Sequence, residues 1–240
     1  MQIKSDDLVI GRYSVLPFYK ELEDDIKSVN AKLINTYKQH KYVADCKNWA
    51  VDLDGLTPKT WTRLEDLPED GPFVLKGETN SKKFLWKSHM FAEDKKRAIE
   101  IHSLLCADSL IGEQDIIIRQ YIPLHTYMIG LQDLPITKEF RFFILNGRVI
   151  SSGYYWSSHV EEIKEKLGKI PSSQEVPIEF MAKAINSIKS NINFFTIDVA
   201  QTESGEWIVI ELNDGQMSGL SENNPEVLYA NLYNNLRESI

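Results

Sequence analysis

Three oxygen-bearing side chains near the C-terminal end of the sequence have the types and spacing of a divalent-cation site. Two runs of β-branched and aromatic residues flank the stretch TESG, a pattern typical of a β-hairpin. If Ser204-Gly205 is a two-residue turn, Asp198 lies directly opposite Glu211, and alternation along the strand puts Asn213 on the same face as Glu211. Opposed carboxylates repel each other, whereas hard oxygen ligands on rigid strands suit Mg²⁺. This hairpin therefore predicts a magnesium site.

The same residues have a simpler interpretation. Alternation would also put Trp207 and Val209 on the face of Glu211, and the hairpin could be half exposed with its polar residues in solvent. The sequence Asn-Asp-Gly at 213–215 is then only a turn. The rest of the chain has to decide between the two interpretations.

A lysine inside an apolar strand is the second chemical feature. Lys76 ends the run Phe-Val-Leu-Lys, and burying its charge is costly without an anionic partner. A polar loop follows and precedes a predicted returning strand at 84–87; backbone N–H groups and basic side chains of such a loop can surround phosphates, and the candidates are Ser81, Lys82 and Lys83. A lysine that reaches solvent and a solvated hairpin tip are the alternatives.

A second hairpin carries an acid and a guanidinium together. Asn146-Gly147 is a strong two-residue turn signal between two strand-like runs. In that register Arg141 pairs with Ser152, and Glu139 projects from the same face as Arg141. The alternative is a cross-strand ion pair on a solvated sheet face, which contributes little to stability.

Composition excludes several classes of function. The chain of 240 residues has 35 acidic and 27 basic residues and a net charge of −8, which disfavours a nucleic-acid groove. Cys46 and Cys106 are far apart and the five histidines are scattered, so we expect neither a disulfide framework nor a zinc site. The N-terminus has no signal-like apolar region and no run is long enough to span a membrane; we expect a cytoplasmic protein without a membrane partner.

Two parts of the chain differ in their predicted elements. A strand over 8–13, a helix over 18–29 and a strand over 31–37 indicate a small α/β unit, and the turn-rich segment 67–72 marks its end. We therefore predict an N-terminal unit over 1–70 and a main domain over 71–240. Within the main domain, apolar spacing predicts helices over 92–107, 161–168, 178–188 and 225–236, and a buried strand over 115–122.

In order, the strand lysine of VLK, the polar loop, a strand ending RQYI, then EFR, IDV and ELN resemble the ATP-grasp superfamily from Phe73 onward. The resemblance implies an α+β fold in which two α+β subdomains hold ATP, preceded here by the small α/β unit. It implies Mg²⁺ ligands at Asp198, Glu211 and Asn213. The whole sequence also looks like a small ATP-grasp clade found in bacteriophage genomes.

The resemblance also implies roles for residues upstream of the hairpin. Lys76 would contact the α- or β-phosphate of ATP, and the loop with Ser81, Lys82 and Lys83 would cover the phosphates. Arg141 would stabilise the γ-phosphate or an acyl phosphate, and Glu139 would organise the site. The linker that binds adenine would be formed by Arg119, Gln120, Tyr121 and Ile122, with Arg119 either a nucleotide contact or a structural residue.

These features predict an ATP- and Mg²⁺-dependent ligase. A carboxylate substrate would attack ATP to give an acyl phosphate and ADP, and an amine would then displace phosphate to form an amide. A nucleotide-binding assembly factor without turnover is the first alternative, by analogy with an ATP-grasp family that serves translation-factor assembly. A polynucleotide ligase that adenylates Lys76 is the second, although Gly77 and Glu78 do not match the usual KxDG motif.

Overall fold

The computed structural model of the protein describes residues 2–14 and 17–237. The strands are β1 (Leu8–Val9), β2 (Lys32–Leu33), β3 (Thr60–Trp61), β4 (Asp70–Gly77), β5 (Phe91–Asp94), β6 (Ile116–Gln120), β7 (Thr126–Ile129), β8 (Pro135–Thr137), β9 (Glu139–Leu145), β10 (Arg148–Tyr154), β11 (Phe194–Gln201) and β12 (Trp207–Asp214). The helices are α1 (Tyr19–Ser28), α2 (Tyr37–Ala44), α3 (Cys46–Asp52), α4 (Lys95–Cys106), α5 (Val160–Leu167), α6 (Ile178–Ile188) and α7 (Pro225–Arg237).

The C-terminal sheet has the order β10-β9-β11-β12 and is antiparallel throughout. Every residue of β9 is buried, because the sheet is covered on both faces. One face packs against α6 and α3, through residues such as Phe142, Ile185 and Trp49. The other packs against α7, through Phe143 and Leu228. The apolar period of α6 predicted from the sequence is the face that this core buries.

The second sheet has the order β3-β6-β4-β5 and carries α4 on one face. Phe73 and Leu75 of β4 pack against Ala98 and Ile101 of α4. The side chain of Asp94 begins the helix by accepting a hydrogen bond from the Arg97 N–H at 2.8 Å. The returning strand is β5; the segment 84–87, predicted as that strand, instead lies in successive 3₁₀ and π turns over Lys83–Leu85 and Trp86–Met90.

The first 70 residues do not form a separate unit in the described part of the chain. The parallel pair β1–β2 and α1 are close to the predicted strand, helix and strand, but β2 is short because Thr36 begins α2 with a reciprocal capping box. The segment 40–61, which had no interpretable pattern, contains most of α2 and all of α3. Trp49 and Leu53 lie in the core of the C-terminal sheet, and β3 pairs with β6 of the second sheet.

Two β-bulges change the predicted hairpin registers. In β11–β12 the predicted pair Asp198 and Glu211 is confirmed, but a bulge follows it, and Val199 then faces Val209. Val209 therefore enters the core, and the prediction that it shares the face of Glu211 is wrong. In β9–β10 a bulge between Val149 and Ser151 shifts the pairing, so that Gly153, not Ser152, lies opposite Arg141.

Within the described ranges, the helices are too short or too polar to span a lipid bilayer.

Gly153 allows a close approach that can be tested. A Cβ at this position would overlap the backbone of Glu222 and Asn223, whereas a Cβ at Gly11 would meet Tyr13 at an ordinary 3.6 Å. Gly153→Ala should therefore lower the free energy of unfolding by about 1–3 kcal/mol, as overpacking does. Gly11→Ala is the matched control and should change it much less in urea titrations. Equal stability of the two variants would contradict this packing.

Candidate active site

A row of charged side chains crosses three strands of the C-terminal sheet. Arg141 of β9 faces Asp198 of β11, which faces Glu211 of β12. The guanidinium binds the Asp198 carboxylate in bidentate fashion, Nε to Oδ1 at 2.8 Å and one terminal nitrogen to Oδ2 at 2.7 Å. Its other terminal nitrogen donates to the Gly219 carbonyl at 3.0 Å. Asp198 is fully buried and both of its oxygens are paired with one arginine.

Two lysines from the second sheet and the loop after it approach Glu211. Lys76, on β4, forms an ion pair with the Glu211 carboxylate. The Lys83 ammonium donates to the Tyr155 hydroxyl at 2.5 Å and lies 4.4 Å from the centre of the Tyr155 ring. Burial alone would raise the pKa of Glu211, but Lys76 and Lys83 hold it well below its usual range. Glu211 is therefore an ionised carboxylate.

The first cleft lies between the two sheets and ends at these charges. It encloses about 900 Å³, including the space that opens to solvent. Its apolar walls include Trp86, Met90, Tyr121, Leu124, Ile208 and Ile210. Its polar side chains include Lys76, Ser81, Lys83, Glu139 and Glu211. An apolar slot with cations and carboxylates at one end suits a ligand with a flat apolar part and an anionic part.

The strand end at 120–122 forms one edge of the first cleft. The N–H of Gln120 donates to the Lys59 carbonyl and that of Tyr121 to the Pro72 carbonyl, both at 2.9 Å. The N–H of Ile122 has no hydrogen-bond acceptor among the described residues. This edge is thus fixed by its neighbours while one donor stays available to a ligand.

Glu139 is a buried acid inside the first cleft. Its Oε2 accepts a hydrogen bond from the Thr137 hydroxyl at 3.1 Å. Its Oε1 is buried and, within the described ranges, has no hydrogen-bond partner. Burial raises the pKa of Glu139 to about 7, although Lys83 opposes the shift. An acid in this state can change protonation near neutral pH.

The second cleft lies on the other side of Glu211 and is more polar. Glu211 borders both clefts, and the second is further lined by His40, Thr79, Arg141, Asn213, Asp214 and Ser218. The Asn213 amide makes no hydrogen bond to the described residues, so its oxygen stays free beside the Glu211 carboxylate on the same strand face. The two clefts therefore meet at one carboxylate.

Most residues singled out from the sequence meet around these clefts. Lys76, Ser81, Lys83, Glu139 and the linker 119–122 line the first cleft, and Arg141 and Asn213 line the second. Lys82 lies elsewhere, in an ion pair with Asp108 at 2.6 Å. This pairing argues against the predicted phosphate contact for Lys82.

Arg119 has a structural environment although it borders the first cleft. Its guanidinium is buried, donates to the Ile210 carbonyl and to the Thr57 hydroxyl, the latter at 2.6 Å, and lies 5.4 Å from the Trp49 ring. It therefore connects the second sheet to β12 and to the segment after α3. Of the two roles left open by the sequence, these contacts favour the structural one.

The predicted magnesium ligands fit a metal to different degrees. Glu211 and Asn213 offer a carboxylate and a free amide oxygen on one face, the kind of donors that Mg²⁺ takes together with phosphate oxygens and water. Asp198 lines neither cleft and both of its oxygens are engaged by Arg141. The described residues contain no ready-made group of three or more acidic, histidine or cysteine ligands. The donor set thus fits Mg²⁺ through two residues, with Asp198 available only where Arg141 releases it.

Several residues that build the site were not singled out by any motif. Thr137 holds Glu139, the Trp156 indole and the Tyr154 hydroxyl at once. Arg12, considered as a ligand contact, instead donates to the backbone carbonyls of the segment 215–218, among them Ser218 at 3.0 Å. Tyr155 and Trp156 both lie close to Lys83. The aromatic pair after β10 was the only sequence signal for these contacts.

A family model described as an ATP-grasp domain, the third family of its clade, matches residues 63–232. The chain belongs to this family. The ATP-grasp resemblance and the α+β ATP-grasp fold predicted from the sequence are thereby confirmed. The association of this ATP-grasp protein with bacteriophages stays a prediction.

Solved structures of ATP-grasp ligases share the fold. The D-alanine-D-alanine ligase from Coxiella burnetii and the D-cycloserine synthetase DcsG each match with a TM-score of 0.59 and 12% identity over 96% of this ATP-grasp chain, and over 65% and 84% of their own. The ATP-grasp ligase PsnB, complexed with minimal precursor, Mg and ADP, matches with a TM-score of 0.50 and 10% identity over 83% of this chain and 58% of its own. The chain thus spans less than two thirds of PsnB and of the Coxiella enzyme. No curated protein matches the sequence.

The buried pair of Arg141 and Asp198 predicts a large asymmetry in stability. Arg141→Met leaves the Asp198 charge buried without its partner and should lower the free energy of unfolding by about 3–5 kcal/mol. The double variant Arg141→Met, Asp198→Leu removes both charges and should recover much of that loss. Lys87→Met breaks an exposed pair with Asp133 and should cost about 0–1 kcal/mol. Similar losses for Arg141→Met and Lys87→Met in urea titrations would refute the assignment.

The raised pKa of Glu139 predicts a pH-dependent stability. Between the ordinary carboxyl value of 4.5 and about 7, the folded state holds a proton that the unfolded state has lost, so stability falls as pH rises through this window. Glu139→Gln removes this effect. The stability of the variant relative to the parent should therefore increase from about pH 5 to about pH 8, by up to about 1.4 kcal/mol per pH unit inside the window. Exposed Glu162→Gln should show no such trend, and a flat difference for Glu139→Gln would disprove the shift.

Proposed function

We propose that the protein is an ATP- and Mg²⁺-dependent carboxylate–amine ligase that forms an amide through an acyl phosphate and releases ADP. The observation that carries the proposal is the meeting of two clefts at Glu211, one largely apolar and one polar, with Lys76, Lys83 and Arg141 around that carboxylate. Such an arrangement provides separate places for a nucleotide and for acceptor substrates on either side of the phosphates.

The first cleft is the proposed nucleotide site. Trp86, Tyr121 and Ile210 provide apolar surface for adenine, and the free N–H of Ile122 provides a donor at the cleft edge. Lys76, Ser81 and Lys83 lie at the polar end and would bind phosphate oxygens. Because their charges are already in place, little reorganisation is needed when negative charge develops.

Glu211 and Asn213 are the proposed Mg²⁺ ligands. The metal would neutralise phosphate charge and draw electron density from the phosphorus that is attacked. Arg141 borders the second cleft and its orientation is fixed by Asp198, so it is placed to stabilise an acyl phosphate. Glu139, with a pKa near neutrality, can supply or take a proton at the polar end of the first cleft.

The names of the similar structures support amino-acid or peptide substrates. They include a D-alanine-D-alanine ligase and a ligase complexed with its minimal precursor, Mg and ADP. At 10–12% identity these likenesses establish the fold, and the substrate class is our proposal for this chain. A free carboxylate and an amine, each carried by an amino acid or a peptide, are the expected partners.

Glu211→Gln is the most direct test of the metal and nucleotide sites. The substitution removes a ligand charge while keeping the shape of the side chain. Mg-ATP should raise the thermal unfolding temperature of the parent protein and should not raise that of Glu211→Gln. Glu203→Gln, at the exposed tip of the same hairpin, should keep the full effect. Undiminished protection of Glu211→Gln would overturn the proposed site.

Turnover distinguishes the ligase from its alternatives. The protein is incubated with Mg-ATP and panels of amino acids and short peptides, and ADP, AMP and new amide masses are measured. ADP together with a condensed product supports the ligase. Binding of ATP without any release of ADP supports an assembly factor, and covalent AMP on Lys76 supports nucleotidyl transfer.

A further inference from the structure

A histidine and an aspartate from distant parts of the chain meet in the second cleft. His40 is on α2 and Asp214 is the last residue of β12. Their atoms Nδ1 and Oδ2 lie 3.2 Å apart, and the residues are only 2% and 4% exposed. Both line the cleft on the side away from the nucleotide.

The environment of this pair fixes its orientation. Asp214 Oδ1 accepts hydrogen bonds from the Asn35 side chain and from the N–H of Gln216, each at 2.9 Å. The imidazole stacks on the Tyr19 ring with centroids 4.1 Å apart and planes 6° apart. Tyr19 is itself held, because its hydroxyl donates to the Asn35 carbonyl at 2.8 Å. The ring of His40 thus has little freedom to turn.

The pairing also defines which ring nitrogen carries a proton. An ionised carboxylate only accepts hydrogen bonds, so Nδ1 is the donor to Asp214 and Nε2 of a neutral ring keeps a lone pair. Nε2 is buried and has no hydrogen-bond partner within the described residues. An unsatisfied buried acceptor is costly, and a donor supplied by a ligand would remove that cost.

We propose that the second cleft binds the amine substrate and that His40 Nε2 accepts a hydrogen bond from its N–H. The inference rests on the proposed ligase function for the identity of the occupant. A lone-pair acceptor selects a group that carries N–H and repels a carboxylate. The Arg141 guanidinium, at another part of the same cleft, suits the carboxylate or acyl phosphate instead.

The origin of the wall supports a role in substrate choice. His40 and Ala44 both precede residue 63, where the match to the family begins. The nucleotide cleft is formed almost entirely by residues inside the match. The part of the chain outside it therefore contributes contacts to the acceptor substrate.

The test is nitrogen NMR of the histidine side chains in the full chain. Protein labelled with ¹⁵N-histidine is titrated with glycinamide, which has a free amine and no carboxylate, and separately with acetate at the same pH. The His40 signals are those lost in His40→Asn, and the other four histidines serve as internal references. Nε2 should resonate as an unprotonated nitrogen and should shift in a saturable way with glycinamide and not with acetate. A protonated Nε2 in the free protein, a shift with acetate, or no shift with glycinamide overturns the proposal.

Ala44→Met keeps the test decisive if His40→Asn does not fold. Ala44 lines the same cleft and takes no part in the His40–Asp214 contacts, so a larger side chain there should abolish the glycinamide shift while the free His40 signal is retained. Persistence of the shift in Ala44→Met would place the amine elsewhere and refute the site. If glycinamide binds as expected but no acid and amine pair gives ADP, the ligase proposal fails alone. If ADP is released but glycinamide does not affect His40, only the present inference fails.

Discussion

The repulsion between Asp198 and Glu211 is the constraint on which the site depends. The two carboxylates lie directly opposite each other on neighbouring strands, an arrangement that costs energy unless cations compensate it. Arg141 compensates Asp198 from within the same sheet, and Lys76 compensates Glu211 from the other sheet. The second compensation joins the two sheets across the first cleft. The charge pattern that suits phosphate binding is therefore the same one that keeps the two halves of the fold together.

Local pairing was predictable from the sequence, whereas contacts between distant strands were not. The opposition of Asp198 and Glu211 was predicted although the turn is not the two-residue one assumed; the bulge next to Asp198 offsets the difference. Alternation failed at Val209 for the same reason. The pairing of Arg141 with Asp198 needs β9 to lie beside β11, which no local pattern encodes. The ATP-grasp assignment succeeded because it used the order of motifs along the chain.

Side-chain direction in the polar loop and the contribution of the N-terminal helices also lay beyond the sequence. Lys82 and Lys83 are adjacent, yet one pairs with Asp108 and the other with Tyr155. The lysines look equivalent in the sequence because nothing in it shows where 3₁₀ and π turns replace a strand. His40 was one of five scattered histidines, and its partner Asp214 appeared to be part of a turn. Only the packing of α2 on β12 brings them together.

Glu211, as the common border of the two clefts, gives the molecule a means of communication. Its carboxylate is balanced by Lys76, a residue of the first cleft, so any ligand that draws Lys76 away changes the electric field that the second cleft presents. Thermodynamic linkage makes such an effect reciprocal: a ligand in the second cleft alters the affinity of the first by the same factor. The order in which substrates enter can thus be set by a single shared charge, without movement of either sheet.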